Sequence, residues 1–104
     1  MGEIYRQGDV LLKQVLEIPQ GAQPLETLVL AEGEATGHKH RLEGQGVQVL
    51  QVPGPAPVLY VRVPELARLV HEEHGPVEIT PGEYQVVREQ EYNPWAVANR
   101  QVAD

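Results

Sequence analysis

"PELARLVHEEHG", residues 64–75, decides whether this chain is wholly β or carries a helix near its middle. At a period of 3.6, Pro64 opens a helix, Leu66, Leu69 and Val70 form its apolar stripe, and Gly75 closes it. At a period of 2, the same stretch supplies a strand over Leu69–Glu73, which suits the β-like chain around it and gives the segment from Pro76 a partner. Both readings stay open, and they differ in chemistry. His71 and His74 are three apart, so a strand turns them to opposite faces, whereas a helix or a tight turn puts them on one face.

Outward from this stretch, short Val/Leu/Ile/Tyr runs alternate with Gly and Pro clusters. The apolar fraction is 41%, with no Phe, one Trp and four Tyr, so the core is aliphatic and rich in β-branched residues, which favours strands. The pattern predicts strands at Val10–Leu16, Thr27–Ala31, Gly37–Leu42, Val47–Val52, Val58–Val63, Leu69–Glu73, Pro76–Ile79 and Glu83–Glu91. "PQGAQP" (Pro19–Pro24) and "PGPAP" (Pro53–Pro57) are expected to be loops, because Pro lacks the N–H that a ladder needs. "TPGE" (Thr80–Glu83) has Pro and Gly at the centre of a type II turn. Asn93 before Pro94 reads as the N-cap and first residue of a short C-terminal helix.

The chain of 104 residues has the size of one domain, and no linker divides it, so a single β domain over 1–104 is expected. Eight Lys plus Arg against fifteen Asp plus Glu give a formal charge of −7, which repels a phosphate backbone and predicts no nucleic-acid partner. Without Cys there is neither a disulfide framework nor a thiolate metal site. The start "MGEIYRQGD" has no signal-peptide pattern and no run of 18 apolar residues occurs, so the expectation is a cytoplasmic chain with no membrane span.

All four histidines fall in two motifs, "GHKHRLE" (Gly37–Glu43) and "HEEHGP" (His71–Pro76). On a strand, His38 and His40 project to one side, roughly 6–7 Å apart, while Lys39 points away. Neutral imidazoles suit a divalent metal such as zinc, nickel, manganese or iron. The expected ligands are His38, His40 and His71, with His74, Glu43 and Glu73 as further candidates. A strand at His71 would offer His71 with Glu73, and a helix would offer all four histidines. General acid–base work by a His and Glu pair is a further possibility, and a solvated, metal-free surface is the bland one.

"GEATGHKHRLEGQG" resembles the first motif of the cupin superfamily, and "GPVEITPGEYQVVRE" resembles part of the second. In the second, Gln85 stands where the family has its metal-binding His and Glu89 where it has Asn; in the first, Glu43 is displaced relative to Gly33 and the two histidines. More specifically, the whole chain is similar to a group of small, functionally uncharacterised bacterial and phage-encoded proteins, through "RQGDVLL", "EATGHKHR", "HEEHGP", "PGEYQVVREQEY" and "VAD". The resemblance to cupins implies a small antiparallel jelly-roll or cupin-like barrel or sandwich and a metal-dependent enzyme or small-molecule binder.

Elsewhere, Arg6 and Asp9 are expected to brace the first turn, and Tyr84, Tyr92 and Trp95 to pack into the core. Nucleotide-binding glycine loops and nucleophile elbows are missing from the sequence. Pairing of strand edges between subunits would make a homodimer or higher homo-oligomer. Against the metal-dependent reading stands a non-enzymatic interaction module with a metal-free His/Glu face.

Overall fold

The computed structural model describes residues 2–32 and 37–88. They form ten strands: β1 (Ile4–Gln7), β2 (Val10–Val15), β3 (Gln23–Leu25), β4 (Val29–Glu32), β5 (Lys39–Glu43), β6 (Gln48–Val52), β7 (Val58–Val63), β8 (Ala67–Val70), β9 (Val77–Ile79) and β10 (Gly82–Arg88). All pairings are antiparallel, in a six-stranded sheet ordered β1-β2-β10-β7-β6-β3 and a four-stranded sheet ordered β4-β5-β8-β9. From β3 onward the chain crosses repeatedly between the sheets.

Period-2 alternation explains which residues meet between them. Val10 and Leu12 of β2, Val61 and Val63 of β7, Ala67 and Leu69 of β8, and Tyr84 and Val86 of β10 face one shared apolar core. Tyr84 is fully buried, as its place in that alternation predicts. On β5 the inward positions are His40 and Leu42, so an imidazole occupies a core-facing site. Opposite it, the register of β4 slips between Val29 and Ala31, and both Leu30 and Ala31 are buried. An extra residue in one strand produces such a bulge and re-aims the side chains around it.

Several expectations change. Among the described residues the sheets do not close into a barrel: β1 and β3 are edges of one sheet, β4 and β9 of the other. Pro24 lies in β3, within the stretch expected to be a loop. An edge strand pairs on one side only, so it can accommodate a residue that donates no N–H. "PELARLVHEEHG" is neither a helix nor a strand reaching Glu73: β8 ends at Val70, opposite Arg41, and residues 71–76 form an irregular connection to β9. "TPGE" does join two strands, but β9 and β10 lie in different sheets, and Gly82 has φ of +157°, well away from the type II value near +80°. The C-terminal helix from Pro94, Tyr92, Trp95 and the cupin-like positions Gly33 and Glu89 lie outside the described residues. Among the described residues no helix is long and apolar enough to cross a membrane.

One side of the molecule is stitched by polar contacts. The Tyr5 and Thr80 hydroxyls are 2.7 Å apart, the Tyr84 hydroxyl donates to Thr80 O at 2.6 Å, and the Tyr5 and Tyr84 rings meet edge-on. This places β1 beside β9, with the turn after β1 against the connection that carries His71 and His74.

Candidate metal centre

The centre is built from three short pieces of chain. Gly8 and Asp9 form the two-residue loop of the β1–β2 hairpin, closed by the Gln7 and Val10 pair. Gly8 has φ of +61° and Asp9 has no positive φ, the pattern of a type II′ turn, which matches the twist of the flanking strands. Arg6 donates to Gly8 O at 3.4 Å and braces the turn. The second piece is His38 with the start of β5, and the third is the connection after β8. Because β5 and β8 are antiparallel, the start of one lies beside the end of the other, and both histidine motifs reach the same end of the molecule.

The four imidazoles are contiguous. Ring centroids are 4.3 Å apart for His40 and His71, 4.6 Å for His71 and His74, 5.9 Å for His40 and His74, and 5.6 Å for His38 and His71. His71 and His74 share one side of a tight turn, the geometry their spacing of three allows outside a strand. Glu73 Oε1 is 3.4 Å from His38 Nδ1. Glu43, by contrast, is on the outward face of β5, bound to Arg41 at 2.7 Å, and takes no part in the cluster.

The hydrogen bonds fix where the protons are. Gln7 Nε2 is 2.9 Å from both Leu69 O and Gly75 O, and backbone carbonyls only accept, so this end of the amide is the NH2 group. Its other end, Oε1, is then an acceptor, 3.0 Å from His40 Nδ1. His40 therefore carries its proton on Nδ1, and its Nε2 presents a lone pair. His71 has the opposite arrangement. Its Nδ1 accepts from the backbone N–H of Glu73 at 3.0 Å and of His74 at 3.3 Å, which puts the proton of the neutral ring on Nε2 and ties the ring to its own turn.

His40 Nε2 faces Asp9 Oδ1 at 3.5 Å. Protonation of His40 would make this an ion pair. Burial, followed by the neighbouring His71, lowers the imidazole below its ordinary pKa, against the partial opposition of Asp9. Asp9 is itself held ionised. Its partial burial acts upward, but Arg88, which donates to Oδ2 from Nε at 3.2 Å and NH2 at 3.0 Å, brings the carboxyl below its ordinary value. A neutral imidazole lone pair and a carboxylate oxygen thus stand face to face. On the exposed rim, the Lys39 N–H donates to Glu72 Oε1 at 2.8 Å and depresses that carboxyl as well.

Among the described residues, no three His, Asp or Glu side chains converge on one point at ligand distance. The structure brings together His38, His40, His71, His74 and Glu73, and adds two residues that the sequence reading did not place here, Gln7 and Asp9. The available signal was local: "QGDV" has the Gly of a two-residue hairpin, which aims the residues before and after it at one end of the sheet.

A family model described as a domain of unknown function (DUF8820) matches residues 6–89, a span that contains every member of the cluster. No curated protein and no solved structure matches the chain.

Proposed function

The chain belongs to the DUF8820 family, and from that premise, which brings no activity with it, we propose that it binds a divalent metal cation between the β1–β2 turn and the histidine connection. His40 Nε2 and Asp9 Oδ1 are the first two ligands and His74, whose Nε2 lies against Gly8, the third. The observation that carries this reading is the 3.5 Å approach of two acceptor atoms while the only proton of His40 is engaged with Gln7. In a tetrahedral zinc site, bonds of about 2.0–2.2 Å put neighbouring donor atoms roughly 3.3 Å apart, close to that spacing. An imidazole and carboxylate set suits zinc, manganese, iron or nickel.

His71 serves here as a cap of its own turn through Nδ1, and His38 with Glu73 lies at the rim. An open coordination position would let the cation bind a small oxygen-bearing ligand or activate water, the activity implied by the cupin resemblance; of that motif's two histidines this reading keeps His40 alone as a ligand. One observation favours the alternative, a metal-free His/Glu face that contacts a partner: three donors do not yet converge among the described residues.

Metal analysis and thermal denaturation of protein purified without a His tag separate the two. Zinc, nickel, manganese or iron(II) at about a hundred times its dissociation constant should add about 2.7 kcal/mol, a rise of roughly 10 °C or more. His40→Ala and Asp9→Asn should each remove the response. Absence of bound metal, together with no shift for any of the four ions, sinks the metal reading.

A further inference from the structure

Gln7 is 3% exposed and joins three parts of the cluster. One end of its amide reaches the carbonyl of Leu69 at the end of β8 and that of Gly75 just past His74; the other meets the His40 ring. We infer that Gln7 is the positioning residue of this site. It selects which nitrogen of His40 is offered to a ligand, and by holding Gly75 it sets the distance between the His74 turn and the β1–β2 turn.

The selection is by elimination within one side chain. An amide has one donating and one accepting end, and two carbonyl oxygens occupy the donating end. The accepting end tolerates only the Nδ1–H form of His40, because the other neutral tautomer would set a ring lone pair against the Gln7 oxygen. Nε2 is left for the Asp9 side. Outer partners of metal-bound histidines act in this way, fixing the tautomer and the ring orientation. This step rests on the metal reading only for its effect on affinity; the tautomer itself is a property of the metal-free protein.

The test uses metal-free, imidazole-15N-labelled full chain, at a pH where the rings are neutral. Long-range 1H–15N correlation reports which nitrogen of each ring is protonated. His40 should be Nδ1–H and His71 Nε2–H. In Gln7→Met, His40 should move toward the Nε2–H form while His71 stays as it was, a contrast that a general loosening of the fold would not produce. Zinc titrated into the same two proteins should bind the variant tenfold to a hundredfold more weakly. An Nε2–H ring at His40 in the unsubstituted protein overturns the inference, whether or not Gln7→Met folds. So does an Nδ1–H ring that persists in Gln7→Met with zinc affinity unchanged. A His40 with Nδ1–H in a protein that takes up no zinc upholds the assignment of the tautomer and removes the metal reading alone.

Discussion

Gly8→Ala tests whether the first turn is the floor of the histidine cluster. Gly8 has φ of +61°, where an L-residue costs about 1–2 kcal/mol. A Cβ there would lie 2.7 Å from His74 Nε2, 3.2 Å from His74 Cδ2 and 3.3 Å from His40 Cε1. His74 is exposed and can swing away, so the clash displaces a proposed ligand more than it destabilises the fold. His40 is buried and held by Gln7, so it gives way little. The sum is about 2 kcal/mol, a fall in Tm of roughly 8–16 °C for a domain of this size. Gly21→Ala is the control: a Cβ there would meet nothing within 4 Å among the described residues beyond its chain neighbours, and with no left-handed φ it should be neutral or slightly stabilising. Gly8→Asn should recover part of the backbone cost, since Asn tolerates this conformation, yet retain the clash. In differential scanning calorimetry the melting order should be Gly21→Ala, Gly8→Asn, Gly8→Ala from highest to lowest, and neither Gly8 variant should respond to zinc. A Gly8→Ala protein that melts within about 2 °C of Gly21→Ala and keeps a zinc response refutes the reasoning.

Three further outcomes follow from contacts elsewhere. Burial, partly opposed by the Thr80 hydrogen bond, raises the Tyr84 hydroxyl above its ordinary value of 10.0, so its contribution to stability is complete below pH 10 and is lost as pH rises through the folded-state value. Tyr84→Phe should cost about 1–2 kcal/mol at neutral pH and show a shallower decline above pH 10 in urea denaturation; an unchanged alkaline limb would contradict the assignment. Arg88→Ala should raise the Asp9 pKa in a 13C-detected titration, and a carboxyl that does not move would mean that Arg88 is not its principal partner. Glu43→Ala removes an exposed pair with Arg41, so urea denaturation should show a change within about 0.5 kcal/mol, and zinc titration no change; a lost zinc response would place Glu43 in the site after all.

The sequence revealed strands best where alternation was uninterrupted. Val58–Val63 was legible to the residue, and the buried pattern of β10 was visible as Tyr84 and Val86. β1 was not, because Ile4–Gln7 has only Tyr5 and Gln7 turned inward, and an inward Gln breaks an apolar pattern. β3 was hidden by Pro24, whose penalty depends on whether a second neighbour is present. The two histidine motifs announced themselves by composition, and their meeting followed once β5 and β8 paired. "QGDV" signals the turn locally, but the partners of Asp9 and Gln7 could not be read from it. Asp9 reads as an ordinary turn residue until β10 brings Arg88 opposite Val10. Gln7 reads as an exposed polar residue until its partners arrive from 62 and 68 residues away.

Those separations also set an order of events in folding. A contact between residues so far apart cannot form until the loops between them have been closed, and closure over such lengths is slow compared with forming a hairpin. The β1–β2 hairpin can arise early from local pairing, with Gln7 still in water and His40 free to exchange its ring proton between nitrogens. Only when β8 has docked and Gly75 has come to rest do both ends of the amide find their partners. The geometry on which the proposed cation site depends is therefore completed in the last stage of folding, and a collapsed chain with most of its strands paired would still lack the Gln7 bridge between His40 and the His74 turn.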